Sequence, residues 1–475
     1  MPLRFRCDGA PLTAHAGVHH GDVNGPFREI APGLREQITA LRNLEWFHLV
    51  TDIHNARVRR DPRNHTFHSA HIVVAQPEIR QQRNDRHLSK VKNGKIQGNV
   101  PAYFDHNATT PVDPRVLETF TETARDVYGN ASSIHHFGQA AKQRLEGARR
   151  GVAKKLGASP REIVFTSGGT ESDNLAILGS VRAGSARRKH VITTQIEHPA
   201  VLNACQELHR EGVEITFLGV GEACVIDPDD LKRELRPHTV LISVMHANNE
   251  TGAIQPIGDV AATAREAGIT FHSDGVQAGA RVDFDVNRFG VDLYSISAHK
   301  MNGLKGAGAL FVRETAQIHP VLFGGHQERD RRPGTENVPA IAAFGFAAGL
   351  PPIDVGELRD RLEQGILASV RQARVNAKGS PRLRNTTNLC FRGVSGEAMV
   401  IALDLAGFAV SSGAACSSGS IEPSHVLLAM GQSETEAKSS IRFSLGAGNT
   451  VEQVDALIEA VSRICHVHRR EKVYA

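Results

Sequence analysis

The stretch Val291-Asp292-Leu293-Tyr294-Ser295-Ile296-Ser297-Ala298-His299-Lys300 decides how this chain is read. An apolar, strand-like run ends in a lysine, and Met301-Asn302-Gly303-Leu304-Lys305-Gly306-Ala307-Gly308 follows as a glycine-rich turn. A lysine so placed can hold an aldehyde as a Schiff base, provided burial or neighbouring cations keep it neutral. An isolated Lys-x-x-Gly reads as a surface turn. The rest of the chain decides between the two.

Upstream of this run, strand and helix signals alternate. Residues 162–166, 190–194, 213–220, 240–244 and 269–273 are apolar or β-branched and read as strands. Residues 172–183, 199–211 and 257–267 read as helices between them. Such alternation predicts βαβ units, a mostly parallel sheet and a three-layer αβα domain over residues 101–350. A smaller α+β domain is expected over residues 351–475, with helices at 356–373, 396–406 and 451–465 and strands at 388–391 and 441–445. Residues 1–100 differ: they hold 15 of the 55 Lys+Arg, 9 of the 51 Asp+Glu and 9 of the 24 His, with little apolar periodicity. They read as a basic, His-rich extension, disordered or arising from a mistaken upstream start codon.

The bulk composition excludes several classes. A net charge of +4 over 475 residues implies no polyanion partner, and 5% aromatic residues suggest no base-stacking surface. No apolar run reaches the roughly 18 residues of a membrane span. Six scattered cysteines form no C-x-x-C pair, which fits a cytoplasmic protein better than a secreted one.

The candidate chemistry lies just after strands, where open α/β sheets collect ligands. Thr166-Ser167-Gly168-Gly169-Thr170-Glu171-Ser172 joins a strand to a helix, and free amides with hydroxyls there suit a phosphate. It lacks the lysine of a P-loop. Asp274, in His272-Ser273-Asp274-Gly275-Val276-Gln277, suits a protonated pyridine nitrogen, although a lone Asp is more often a turn or cap residue. His198, in Glu197-His198-Pro199, suits stacking on a flat ring or capping the next helix. Asn248-Asn249-Glu250-Thr251-Gly252 offers amides, or a plain turn.

Together these residues make a pocket for pyridoxal phosphate, in an order that resembles the fold-type I pyridoxal phosphate enzymes. Four further segments resemble the class V aminotransferase branch, and among it most the cysteine desulfurases. They are Tyr103-Phe104-Asp105-His106-Asn107-Ala108-Thr109-Thr110, Gly129-Asn130-Ala131-Ser132-Ser133, Gly169-Thr170-Glu171-Ser172-Asp173-Asn174 and Arg332-Pro333-Gly334-Thr335-Glu336-Asn337. The resemblance runs from about residue 103 to 467. It implies that Lys300 is the Schiff-base lysine, Asp274 the partner of the ring nitrogen, Gln277 the partner of the phenolic oxygen and His198 the stacking residue. Gly169, Thr170, Ser297 and His299 would hold the phosphate, and Thr335 the phosphate of a neighbouring subunit's cofactor, hence a homodimer. Asn249 and Arg442 would hold the substrate carboxylate.

The cofactor alone leaves transaminase, lyase and epimerase chemistry open. The segment Ser411-Ser412-Gly413-Ala414-Ala415-Cys416-Ser417-Ser418-Gly419-Ser420 is small, polar and poor in core residues, so Cys416 fits a buried packing role badly. It resembles the long active-site loop of the nitrogenase-associated and housekeeping desulfurases, as does Gly324-Gly325-His326-Gln327-Glu328-Arg329. The resemblance implies removal of sulfur from L-cysteine, giving L-alanine and a Cys416 persulfide. It further implies delivery to an iron–sulfur scaffold or another sulfur acceptor, and a transient iron–sulfur contact at Cys416. No membrane or nucleic-acid partner is expected.

Overall fold

The computed structural model describes residues 101–412 and 422–473, with side chains as far as His466. In chain order these residues form β1 (Ala102–Tyr103), α1 (Pro114–Asp126), α2 (His136–Leu156), β2 (Ile163–Thr166), α3 (Gly169–Ala183), β3 (His190–Thr194), α4 (Pro199–Arg210), β4 (Glu214–Leu218), β5 (Thr239–Ser243), α5 (Ile257–Glu266), β6 (Thr270–Asp274), β7 (Leu293–Ser297) and β8 (Gly308–Val312). There follow α6 (Val338–Ala348), α7 (Gly356–Ser369), β9 (Ala373–Val375), β10 (Thr386–Phe391), α8 (Gly396–Leu405), β11 (Phe408–Ala409), β12 (Ser440–Ser444) and α9 (Val451–Val473).

Seven strands make the central sheet, in the order β2-β8-β7-β6-β5-β3-β4. All its pairings are parallel except those of β8, which runs antiparallel to both β2 and β7. Every other strand therefore ends at the same edge. Side chains alternate along each strand, so each sends one set to either face. Ile163, Phe165, Phe271, Tyr294, Ile296 and Phe311 pack with residues of α2, α5 and α6. Val164, Leu293, Leu310 and Val312 pack on the other face with Leu175 and Ala176 of α3. The result is helices on both sides of one mostly parallel sheet, as the alternation predicts.

A second sheet, in the order β12-β10-β9, is antiparallel. Its core joins Leu389, Phe391, Ile441 and Phe443 to Leu362 and Ile366 of α7, Met399 and Leu403 of α8, and Leu457 of α9. Ala102 and Phe104 lie in this same core, because β1 pairs in parallel with β11. The strand nearest the start of the described chain thus packs with its far end.

The differences from expectation have local causes. The helix read from residue 172 begins at Gly169, so the phosphate-type turn already belongs to its first turn. β8 lies behind the glycine-rich run and shows no strand signal apart from its own five residues. Its first residue needs the absence of a side chain: a Cβ on Gly308 would stand 2.6 Å from the Cα of Gly168. The crossing of β8 beneath the β2–α3 turn therefore requires glycine.

A buried ion pair fastens the turn before α6. Glu328, Arg329 and Asp330 hold φ of 46°, 57° and 64°, a left-handed run that L-residues adopt at a cost. Both carboxylate oxygens of Glu328 accept from Arg149 at 2.7 Å, and one also accepts from Phe165 N at 2.9 Å. The pair ties α2, β2 and the turn together. Glu328→Ala leaves the buried Arg149 guanidinium with only the partly exposed Glu146, at 3.2 Å, to balance its charge, and is expected to cost about 3 kcal/mol in denaturant unfolding.

Candidate active site

β3, β6 and β7 each deliver a side chain at or just past the common edge. β7 runs into one short turn of helix that carries His299 and Lys300. Lys300 Nζ donates to the carbonyl oxygens of Asn107 and, at 2.7 Å, of Ala108. Gln277 Nε2, one turn beyond β6, donates to the same Asn107 oxygen at 3.0 Å. Lys300 also lines a cavity with His106, Thr110, Arg281 and Asn385.

Asp274 closes β6 and is buried. One oxygen accepts from Val276 N at 2.8 Å. Burial raises its pKa, while His198, that backbone amide and Lys300 pull the other way. These residues therefore share one electrostatic environment. His198 follows β3 and caps α4: its Nδ1 accepts from Ala200 N at 3.1 Å, which leaves the ring proton on Nε2. Burial lowers its pKa, Asp274 opposes that, and Lys300 and His425 add to it. His198 is a neutral imidazole near pH 7.

At the β2–α3 turn, Gly168 makes no side-chain cap, so the first amides of α3 keep their donor capacity. Ser297 faces this turn; its Oγ lies 3.9 Å from the position of a Cβ on Gly168 and is buried without a hydrogen-bond partner. Thr170 is exposed at the helix start. His299 Nδ1 meets Thr109 Oγ1 at 3.2 Å.

Arg442, on β12, is buried. Its Nη2 meets Asp105 Oδ1 at 2.6 Å and its Nη1 donates to Asn249 O at 3.1 Å, while Nε has no partner. Asn249 thus engages Arg442 through its carbonyl, and the neighbouring Asn248 uses its side chain to shape the turn, accepting from Glu250 N and Thr251 N at 2.9 Å. Lys300, Gln277, Asp274, His198, Asn249 and Arg442 come together at this edge. Thr335 stands exposed, outside this group of contacts. Cys416 lies outside the described residues. Among the described residues no group of three or more His, Cys, Asp or Glu is arranged to hold a metal ion, and no helix is long and apolar enough to cross a membrane.

Asn107 and Asp105 emerge as site-forming residues only in three dimensions. Asn107 Nδ2 donates to Asn249 O at 3.1 Å and Thr386 Oγ1 at 2.9 Å, and its N–H to Ser444 Oγ at 2.9 Å. Both residues stand in the Tyr103–Thr110 motif, which was the signal available for them.

With the geometry in place, similarity to known proteins has a physical counterpart. The aminotransferase class-V model matches residues 102–457. A cysteine desulfurase of Trichormus azollae is 46% identical over 369 residues, covering 76% of this chain and 92% of that protein. The cysteine desulfurase IscS of Anaeromyxobacter dehalogenans is 48% identical over 369 residues, covering 76% and 91%. Among solved structures, a NifS-like protein superposes with a TM-score of 0.72 at 35% identity, covering 78% of this chain and all of that one. A structure described as SspA in complex with cysteine gives 0.67 at 36%, covering 72% and 98%. The chain belongs to the aminotransferase class-V family, among its cysteine desulfurases.

The cofactor of this family is pyridoxal phosphate, and the residues present fit it. The partnerless Ser297 Oγ and uncapped α3 amides suit a phosphate, and buried Asp274 suits a cationic ring nitrogen. The partnerless Arg442 Nε suits a carboxylate.

Glu197, beside His198, is fully buried, and burial raises its pKa to about 8. Its Oε1 accepts from Thr194 Oγ1 at 2.7 Å and Met245 N at 2.9 Å, while Oε2 has no partner. A carboxyl with a raised folded pKa stabilises fully below its unfolded pKa, and that contribution is lost as pH rises through the folded value. Glu197→Gln, which cannot ionise, is expected to gain stability relative to wild type as pH rises from about 4.5 to about 8. Urea unfolding across that range measures it, and a pH-independent difference would show that Glu197 titrates normally.

Proposed function

We propose that this protein is a cysteine desulfurase that moves sulfur from L-cysteine onto Cys416, releases L-alanine, and passes the persulfide sulfur to an acceptor protein. The observation that carries this reading is the convergence of Lys300, Asp274, His198 and Arg442 at one sheet edge, within a chain 46% identical to a cysteine desulfurase.

Pyridoxal phosphate, when bound, supplies the electron sink that makes the substrate's Cα proton removable. The remaining work falls to the chain. Arg442 binds the substrate carboxylate through Nε, with its other nitrogens fixed by Asp105 and Asn249. Asn249, half-buried at the same turn, offers its amide to that carboxylate. Gly169, Thr170, Ser297 and His299 bind the phosphate. Asp274 and Gln277 would hold the ring nitrogen and phenolic oxygen, and His198 would pack against the ring. Lys300 Nζ carries the Cα proton, and the carbonyls of Asn107 and Ala108 direct that nitrogen. His198 Nε2 already carries the ring proton, so it serves as a donor beside the substrate thiol. The Cys416 thiolate attacks the substrate sulfur; the new S–S bond forms as the C–S bond breaks, leaving Cys416 as the persulfide and the carbon skeleton as alanine.

Chain length supports the role of Cys416. Ser411 exchanges backbone hydrogen bonds with Arg442, at 3.3 and 2.7 Å. Cys416 is five residues further on, a reach of at most about 17 Å.

The same reading assigns residues 351–475 to a smaller domain beside the large one of residues 101–350. It gives a homodimer in which Thr335 reaches the neighbouring site. Supporting it, Tyr128, Ile134, Phe137 and Phe323 are exposed by 72%, 93%, 51% and 89%, and Tyr128 stacks on Phe137 at 5.4 Å, apolar surface that a partner subunit would cover. An iron–sulfur scaffold is the acceptor favoured by the IscS-named relative. Cys416 would then meet iron or its cluster only as the point of sulfur delivery.

Cys416→Ala is expected to abolish alanine release from L-cysteine while keeping the visible absorption of the bound cofactor. Full alanine release by this variant would reject the persulfide role and favour an ordinary β-lyase or transaminase.

A further inference from the structure

Behind Asp274 the sheet carries a row of buried polar groups that the desulfurase reaction does not use. Ser243, His272, Asp274 and Ser295 all point to the face covered by α3, and Asp173 comes down from the second turn of that helix. Each is buried, with an exposure of 0% for Ser243, His272 and Ser295, 1% for Asp173 and 6% for Asp274. His272 Nδ1 meets Ser243 Oγ at 2.9 Å, and its Nε2 meets Ser295 Oγ at 3.0 Å. The Ser295 hydroxyl stands beside the Asp173 carboxyl and acts on it. One oxygen of Asp173 has no hydrogen-bond partner and lies 3.7 Å from His272 Nε2.

Charge counting sets the problem. Three buried carboxyls, Asp173, Glu197 and Asp274, act on one another in this region. The basic groups that act on Asp274 are His198 and Lys300. His198 is neutral, and His272 is held neutral by burial, with a pKa lowered to about 3. On the opposite face of β7, Tyr294 is also neutral, its pKa raised by burial and by Asp274. Lys300, and the ring nitrogen once the cofactor is bound, stand on the side of Asp274. Buried charges without partners are costly, so three carboxylates cannot coexist there.

We propose that Asp173 is a positioning residue for Asp274: it stays protonated beneath the strand ends and orders the chain Ser295–His272–Ser243, so that Asp274 alone presents negative charge to the ring nitrogen. This rests on the reading of the site as a pyridoxal phosphate pocket. The direction of the chain follows. Asp173 donates its proton to Ser295 Oγ, the Ser295 hydroxyl donates to His272 Nε2, and His272 Nδ1–H donates to Ser243 Oγ. An ionised Asp173 would reverse every step and place the imidazole proton on Nε2. Burial raises the pKa of Asp173, as does the charge of Asp274, more than the Ser295 hydroxyl lowers it. A phosphate bound at the start of α3 adds negative charge one turn away and acts in the same sense.

The tautomer of His272 tests this without any variant. In the full-length, cofactor-loaded protein, nitrogen-15 NMR is expected to find the His272 proton on Nδ1; a proton on Nε2 would overturn the proposal. Two variants separate positioning from packing. Asp173→Asn keeps a neutral donor and is expected to leave the pH dependence of the cofactor's visible absorption unchanged. Asp173→Ala removes the donor and should lower kcat by about tenfold or more, the scale of one buried unsatisfied group, with KM little changed. Impairment of Asp173→Asn equal to that of Asp173→Ala, or a shifted absorption midpoint in Asp173→Asn, would show that Asp173 works as a carboxylate. Absence of cofactor absorption or alanine release in the wild type would instead defeat the desulfurase reading, an outcome distinct from any difference among the variants.

Discussion

The site depends on Asn107. Its carbonyl oxygen receives both Lys300 Nζ and Gln277 Nε2, and its side chain and amide reach Asn249, Thr386 and Ser444. One residue, 1% exposed, therefore joins the ends of β6 and β7 in the large sheet to β10 and β12 in the small one. A lysine that donates to two backbone carbonyls is held within a narrow range of positions. A backbone carbonyl achieves that without adding a charge that would fix the lysine as a cation. The buried Arg442 enters the same arrangement through Asn249.

Topology explains why a single residue suffices. Parallel strands place their carboxyl ends side by side, so side chains remote in sequence become neighbours without any special loop. His198, Asp274 and Lys300 follow three different strands and still act on one another electrostatically. The small sheet contributes the buried Arg442, and the bridge between Ser411 and Arg442 ties the beginning of the Cys416 segment to that strand.

Much of this was legible in the sequence. The βαβ alternation was readable because each buried strand is a run of apolar or β-branched residues bounded by turn formers, and Lys300, Asp274, His198 and the Gly169–Thr170 turn all follow such runs. β8 was not readable, since Gly308-Ala309-Leu310-Phe311-Val312 continues a glycine-rich segment that reads as a turn. β1 and β11 are two residues each, too short for any period, and pair across about 300 residues of chain. The part played by Asn107 was hidden for a different reason: its main acceptor is a backbone atom, which leaves no trace in residue type. Asp105 pairs with an arginine 337 residues away. Asp173 reads as an ordinary polar helix residue, and only the packing of α3 on the sheet turns it inward.

The most direct test of the account is to follow the sulfur. After a single turnover with L-cysteine, peptide mass spectrometry is expected to find one added sulfur atom on the peptide containing Cys416, and none on those containing Cys205, Cys224, Cys390 or Cys465, which are buried. Sulfur on one of those cysteines, or release of alanine with no sulfur retained on the protein, would contradict it.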